Sequence, residues 1–176
     1  MGSDSLLTAL IGRRDDAIAD AWRTEYELLM PEVLPFPSAS ALVAELHHSG
    51  IGVALATSAP ADHVAQLIDL LGIAQIIDFA TDSDDVDHAK PDPEIFLTAM
   101  HRGHATPDQT YVVGDSKWDV EAANAARIRC IAVESGGFSE AELRDAGAVA
   151  VYSDVHALRN GLRTSPLAEL LQAAGT

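Results

Sequence analysis

The sequence has little of several features that define other protein classes. Cys130 is its only cysteine, so no intrachain disulfide bond can form. No apolar run approaches the ~20 residues that a membrane-spanning helix needs. The first residues lack the basic segment and apolar core of a signal peptide. Together these absences favour a cytoplasmic protein without a disulfide scaffold.

Basic residues are also scarce. The chain has 11 lysines and arginines against 27 acidic residues, a formal net charge of −16. This excess of negative charge argues against binding to nucleic acid or to an anionic membrane surface. An anionic substrate would have to be neutralised locally, by a metal ion or by a few placed cations. Only two lysines, Lys90 and Lys117, are available for that role.

What is present is a core-forming pattern in which helices alternate with strands. With 176 residues and 48% hydrophobic side chains, the chain is long enough for one domain with a core. The alternation predicts an α/β fold in three layers, a parallel sheet with helices on both faces, as in a Rossmann-like core. Helices are expected at 38–48, 60–71, 93–101, 120–127, 139–145, 155–162 and 167–173, and strands at 51–56, 75–79, 111–113, 130–133 and 149–152.

The region before residue 38 differs because it shows helices without strands. We expect helices at 3–11 and 15–30, followed by prolines at 31, 35 and 37 that mark a boundary. The second helix has an apolar stripe, which indicates packing more than ligand contact. The stripe consists of Ile18, Trp22, Tyr26 and Leu29.

Ligands of parallel α/β sheets bind beyond the carboxyl ends of the strands, so the residues after each strand are the candidates. Thr57 and Ser58 follow the first predicted strand. Ser58 or Ala59 could cap the next helix, with Pro60 in its first turn. Alternatively, the Thr57 hydroxyl and the following backbone N–H groups could hold a phosphate oxygen at the helix N-terminus.

An acidic loop follows the second predicted strand and runs into Lys90. Its aspartates could simply be solvated, and Lys90 could be solvated as well. The alternative places the Lys90 ammonium in a site of carboxylates and phosphate, as a fixed positive charge. The next helix is expected to start with Asp92 as its cap and Pro93 at its first position.

Gly114, Asp115, Ser116 and Asp119 follow the third predicted strand. Serine and an acid three positions later match a capping box, which would leave Asp115 as a turn residue. Alternatively, Asp115 at the strand tip and Asp119 one helical turn later could point into one small volume. Magnesium is typically held by one or two carboxylates together with phosphate and water. The pair alone does not decide between these readings.

Three segments taken together carry a more specific signal: Val53-Ala54-Leu55-Ala56-Thr57-Ser58, Lys90-Pro91-Asp92-Pro93-Glu94-Ile95-Phe96 and Gly114-Asp115-Ser116-Lys117-Trp118-Asp119. In order and residue type they resemble the second, third and fourth motifs of the haloacid dehalogenase-like (HAD) hydrolase superfamily, in the branch whose helical cap follows the first strand. The similarity continues through residues 122–126 and 135–138, so it covers nearly the whole chain.

The resemblance implies Mg²⁺-dependent hydrolysis of a small phosphorylated metabolite through an aspartyl-phosphate. It assigns phosphate binding to Thr57, Ser58 and Lys90, with Lys90 and Thr57 also stabilising charge during catalysis. It assigns magnesium binding to Asp115 and Asp119, with orientation of Lys90 as a further role for Asp119.

The family's nucleophile motif, Asp-x-Asp-Gly-Thr, does not occur in this sequence. Asp82-Ser83-Asp84 and Asp85-Val86-Asp87 have the Asp-x-Asp spacing, but they lack Gly-Thr and follow the wrong strand. The resemblance therefore predicts a chain truncated at its N-terminus and inactive as given. Residues 1–33 would be a partial helical cap, and residues 34–176 would be a core without its first strand, which in the family lies between the strands ending at Thr57 and Gly114.

Two other functions remain open. The same scaffold supports 2-haloacid dehalogenation without metal, which Trp118 slightly favours. A non-catalytic domain that binds phosphometabolites or a partner protein is the other alternative. A zinc site is disfavoured, because His47, His48, His101 and His104 have no cysteine partners.

Overall fold

The computed structural model describes residues 10–13 and 15–175. In this part of the chain, helices alternate with parallel strands, which confirms the predicted α/β class. The strands are β1 (Ala54–Leu55), β2 (Phe79–Ala80), β3 (Tyr111–Gly114), β4 (Arg129–Val133) and β5 (Ala150–Tyr152). The helices are α1 (Asp16–Leu29), α2 (Ala39–His48), α3 (Ala61–Leu71), α4 (Glu94–Arg102), α5 (Lys117–Ala125), α6 (Glu140–Asp145), α7 (Val155–Asn160) and α8 (Ala168–Ala174).

The strands form two sheets rather than the single sheet that the pattern predicts. Strands β3, β4 and β5 pair in that order, all parallel. Strands β1 and β2 form a separate parallel pair with only two residues in register on each strand. Within the described residues, therefore, β1 and β3 are not hydrogen-bonded to each other.

The predicted second strand at 75–79 is wrong in its boundaries, because most of it forms a turn. The backbone N–H groups of Ile76 and Ile77 both donate to the carbonyl of Ile73. This turn uses the apolar residues that the sequence pattern assigns to a strand. Strand pairing starts only when the Asp78 N–H reaches the carbonyl of Val53, at 2.8 Å.

The three-stranded sheet has a buried cluster on each face. Successive side chains of a strand point to opposite faces, so Cys130 and Ala132 lie on one face of β4 and Ile131 on the other. The first face packs against α4, α5 and α6 through residues such as Val120 and Leu143. The second face packs against α2, α7 and the segment before α8, through Leu42, Leu46, Leu158, Leu162 and Leu167. This arrangement gives the predicted three layers.

Helix α1 is attached to the core through aromatic rings. Asp15 caps it by accepting a hydrogen bond from the Ile18 N–H at 3.3 Å. The Tyr26 ring lies 5.2 Å from that of Trp22 and 5.1 Å from that of His63 on α3. Of the predicted stripe, only Tyr26 makes a ring contact with α3, whereas Ile18, Trp22 and Leu29 are 39%, 40% and 57% exposed.

The rest of the N-terminal region is described only in part. Most of the helix predicted at 3–11 lies outside the described residues, although residues 10 and 11 are helical. The division into a partial cap at 1–33 and a core at 34–176 stays a prediction.

No helix within residues 10–13 and 15–175 combines the length and the apolar character that crossing a membrane requires.

Candidate functional site

The turn between β3 and α5 forms the capping box that the sequence suggests, and it also collects two carboxylates. The Ser116 hydroxyl accepts a hydrogen bond from the Asp119 N–H. In return, Asp119 Oδ2 accepts from the Ser116 N–H at 3.1 Å and from its hydroxyl at 2.6 Å. A Cβ at Gly114 would overlap the Cβ of Asp119 and lie 2.8 Å from its carboxyl carbon. Glycine at 114 therefore lets Asp119 fold back against the end of β3.

Lys90 and Asp119 form a largely buried ion pair. The Lys90 Nζ donates to Asp119 Oδ1 at 2.7 Å, and the two side chains are 21% and 9% exposed. Burial by itself raises the pKa of Asp119, but Lys90 and the Ser116 hydrogen bonds together bring that pKa below its ordinary value. Asp119 is therefore an anion that holds the ammonium group at the strand ends.

Asp115 lies next to this pair in a confined position. Burial raises the pKa of its carboxyl group above the ordinary value, and the negative charge of Asp119 raises it further, while Lys90 acts in the opposite direction. A Cβ at Gly136, in the turn after β4, would overlap the Asp115 carbonyl oxygen and lie 2.8 Å from its carboxyl carbon. The anionic form of Asp115 would be stabilised by a cation at this position.

Thr57 and Ser58 lie just beyond β1, as predicted. Thr57 Oγ1 accepts a hydrogen bond from the Ala59 N–H at 3.1 Å. The N-cap of α3 is Pro60, so the alternative in which Ser58 or Ala59 caps this helix is wrong. Pro60, with φ −54° and ψ 146°, directly precedes the first helical residue, and its side chain makes no capping hydrogen bond.

The ends of β1 and β3 belong to one packed region although the strands are not paired. Ala56, which directly precedes Thr57, packs against the cluster that contains Val112 of β3 and Val120 of α5. Those two residues flank Asp115 and Asp119 along the chain. The structure thus brings Lys90 into contact with Asp119, places Asp115 beside them, and joins the segment of Thr57 to the same core.

The acidic loop before Lys90 is ordered by bonds within itself and to α4. Asp82 accepts from the Asp84 N–H, and Asp85 accepts from the Asp82 N–H and pairs with Arg102. Glu94 accepts from the backbone N–H groups of residues 87 and 88 at 3.1 and 2.8 Å. At the start of α4 the N-cap is Pro93 instead of the predicted Asp92, whose carboxylate accepts from the Glu94 N–H at 3.0 Å.

Two residues that the sequence reasoning did not single out contribute to the site. Thr81 directly follows β2, is 0% exposed and hydrogen-bonds to Thr57. Gly136 lies against Asp115, as described above. Both follow a strand, at the edge where ligands bind, so the rule that directs attention to strand ends could have found them.

The donor set of the site fits a hard divalent cation. Asp115 and Asp119 provide two neighbouring carboxylates, which suits magnesium because this ion usually keeps several water ligands. In the described part of the chain, this site included, no group of three or more histidine, cysteine, aspartate or glutamate side chains is placed to hold a metal ion.

Comparison with known proteins finds relatives that are named as phosphatases. Phosphoglycolate phosphatase of Salmonella paratyphi A is 40% identical over 91 residues, which are 52% of this chain and 36% of the relative. Phosphoglycolate phosphatase of Pseudomonas putida is 32% identical over 130 residues, which are 69% of this chain and 46% of the relative. The chain thus spans about a third to a half of the length of these curated relatives.

Solved structures agree on the fold. A hydrolase from Pseudomonas syringae superimposes with a TM-score of 0.73 at 33% identity, covering 79% of this chain and 64% of the other. A beta-phosphoglucomutase from Clostridium difficile gives a TM-score of 0.71 at 21% identity, covering 89% and 66%. The family model for haloacid dehalogenase-like hydrolases matches residues 4–133. With these matches and the site at the ends of β1 and β3, the chain belongs to the haloacid dehalogenase-like hydrolase family.

Proposed function

We propose that this chain provides the phosphate-binding and magnesium-binding half of a phosphate monoester hydrolase that acts on a small phosphorylated metabolite. The observation that carries the proposal is the Lys90–Asp119 pair at 2.7 Å, with Asp115 beside it. One ammonium and two carboxylates at the strand ends suit a site that must hold an anion and a cation together. The relatives named phosphoglycolate phosphatase support the same reaction class.

In this proposal Asp115 and Asp119 hold the magnesium ion. Both oxygens of Asp119 already accept hydrogen bonds, from Lys90 and from Ser116, so Asp115 is the principal ligand and Asp119 the secondary one. When bound, magnesium would reduce the repulsion between an anionic nucleophile and the phosphate, and would stabilise the charge that develops on the phosphoryl oxygens.

Thr57 and Ser58 bind the phosphoryl group. The Thr57 hydroxyl accepts from the Ala59 N–H, which leaves its own proton to be donated to a phosphate oxygen. Lys90 supplies a positive charge that Asp119 fixes in place. Donors that are positioned before the reaction stabilise developing charge without reorganisation during the step.

The nucleophile has no candidate within the 176 residues, because the Asp-x-Asp-Gly-Thr motif is absent. We therefore expect the chain alone to bind inorganic phosphate in the presence of Mg²⁺ but not to turn over p-nitrophenyl phosphate. Extending the chain with a segment that carries an Asp-x-Asp-Gly-Thr strand should create Mg²⁺-dependent turnover. In this proposal such a strand would lie between β1 and β3, which are not hydrogen-bonded to each other.

The experiment compares Asp115→Asn with Asp145→Asn, an exposed carboxylate at the end of α6. Calorimetric titration with Mg²⁺ should show binding to the wild-type and Asp145→Asn chains. Asp115→Asn should lose at least about tenfold in affinity, because even the loss of a hydrogen-bonding partner of a metal ligand typically costs about 10–100-fold. Equal affinities would contradict the metal assignment.

Turnover separates the remaining alternatives. Turnover by the unextended chain that Asp115→Asn abolishes would refute the predicted inactivity. Phosphate binding without turnover, even in the extended chain, would favour a non-catalytic binding domain. Metal-independent release of halide from a 2-haloacid by the extended chain would favour the dehalogenase.

A further inference from the structure

Thr81 is a buried polar residue whose hydroxyl makes two hydrogen bonds to the backbone of one residue, Thr57. Its side chain follows β2 and is 0% exposed. The Thr57 N–H donates to Thr81 Oγ1 at 3.0 Å, and the same hydroxyl donates to the Thr57 carbonyl at 3.0 Å. Both polar groups of the Thr57 backbone are thus bonded to one side chain of the adjacent strand.

This hydroxyl replaces a rung of the short β1–β2 ladder. On the N-terminal side of Thr57, the Thr81 N–H donates to the carbonyl of Leu55 at 2.9 Å. On its C-terminal side, the Ser83 N–H donates to the carbonyl of Ala59 at 2.9 Å. Between these two backbone bonds, the backbone of Thr57 is held by the Thr81 side chain. Buried backbone groups need such partners, because leaving them unpaired is unfavourable.

We propose that Thr81 is a positioning residue for phosphate binding, acting through Thr57. The inference rests on the proposed function, since it assumes that the Thr57 hydroxyl and the N–H groups after it contact a phosphoryl oxygen. Hydrogen bonds weaken steeply as distance and angle depart from their optimum, so a small displacement of the Thr57 backbone would misalign these donors. Thr81 fixes that backbone at both its N–H and its C=O.

Two substitutions separate the hydroxyl from the shape of the side chain. Thr81→Val keeps the β-branched volume and removes both hydrogen bonds to Thr57. Thr81→Ser keeps the hydroxyl and removes only a methyl group, so it serves as the matched control. Thr57→Val removes the Thr57 hydroxyl, one of the proposed phosphate donors, and gives the reference loss.

The measurement is a titration of the full 176-residue chain with inorganic phosphate in the presence of Mg²⁺, followed by amide chemical shifts. Thr81→Val should weaken phosphate binding about tenfold, the equivalent of about 1.4 kcal/mol, while Thr81→Ser stays within about twofold of wild type. Mg²⁺ affinity, measured without phosphate, should be unchanged in all these variants. In the Thr57→Val background, adding Thr81→Val should have a smaller effect than it has in wild type, because the contribution of the Thr57 hydroxyl is already lost.

Hydrogen exchange of the Thr57 amide provides a readout that does not depend on any ligand. This amide should exchange at least about tenfold faster in Thr81→Val than in wild type or Thr81→Ser, since it loses its acceptor. Wild-type phosphate affinity in Thr81→Val would overturn the inference, and so would an equal loss of Mg²⁺ and phosphate binding. If the wild-type chain binds no phosphate, the proposed function fails instead, and the exchange rate still decides whether Thr81 holds Thr57.

Discussion

The three-stranded sheet and the β1–β2 pair end at the same candidate site but are held together by different means. Strand β4 is paired on both sides, and four of its five residues are buried. The β1–β2 pair has two residues in register per strand, and side chains extend it at both ends: Asp78 Oδ2 accepts from the Val53 N–H, and Thr81 bonds to Thr57. The end proposed to bind metal is thus supported by a packed sheet, whereas the end proposed to bind phosphate has a few backbone bonds supplemented by individual side-chain hydrogen bonds.

Because of this difference, single substitutions should have different effects in the two sheets. In the three-stranded part, perturbation requires disturbing a buried charge or a close backbone contact. In the β1–β2 part, removing one hydrogen bond should loosen the strand locally while the rest of the chain stays folded.

The largest effect is expected from Asp119→Asn. This change removes the charge that compensates Lys90 and leaves an ammonium that is 21% exposed without its partner. The free energy of unfolding, measured by urea denaturation without metal, should fall by about 3 kcal/mol, as for other broken buried ion pairs.

Arg144→Gln is the matched control, because it breaks the Arg144–Glu140 pair, whose side chains are 52% and 56% exposed. Here the loss should be under about 1 kcal/mol. If both variants lose the same amount, the claim that the charges of the three-stranded half are buried and structurally coupled does not hold.

Gly136→Ala should have an intermediate effect. The new methyl group would overlap the carbonyl oxygen of Asp115, so the turn after β4 must move away from the site. Overpacking of this kind lowers the free energy of unfolding by about 1–3 kcal/mol, and we expect weaker Mg²⁺ binding in calorimetry as well.

Gly161→Ala tests whether any added methyl group has this effect. A Cβ at Gly161 would lie 3.5 Å from its nearest neighbour, an ordinary contact. Its Mg²⁺ affinity should equal that of wild type. A similar loss of affinity in both glycine variants would show that close approach to Asp115 is not the cause.

Asp78→Ala should have the smallest effect on global stability and the clearest local one. It removes the acceptor of the Val53 N–H, a bond of 2.8 Å at the start of β1. A single hydrogen bond of this kind contributes about 1 kcal/mol. Hydrogen exchange should accelerate at Val53 and in β1, while the amides of β4 keep their protection. Equal acceleration in both sheets would mean that they open as one unit and that the comparison is wrong.

The sequence predicts features that depend on local spacing. Ser116 and an acid three positions later match the capping box that the structure shows at the β3–α5 turn, because such a box involves residues close together in the sequence. The alternation of helices and strands predicts the α/β class for the same reason. The resemblance added Lys90 and Asp119 as functional partners, although they are 29 positions apart.

Other features depend on contacts that spacing does not reveal. Ile76 and Ile77 are apolar enough for a strand, but their backbone N–H groups donate to the carbonyl of Ile73 and form a turn. In the sequence, nothing distinguishes Thr81 from a solvent-exposed loop threonine. Its burial depends on the segments that pack over it in the folded chain. Gly136 matters only because the backbone of Asp115 approaches it from another strand.

The Lys90–Asp119 pair also bears on how fast an anion reaches the site. Because Asp119 neutralises Lys90, the lysine contributes little long-range attraction in a chain with a formal charge of −16. A diffusing phosphate ester therefore meets net repulsion until it is within a few ångströms of the donors. Salt screens this repulsion over a Debye length of about 10 Å at 0.1 M. The association rate should consequently rise with ionic strength, opposite to the behaviour of proteins that steer anions with a basic surface.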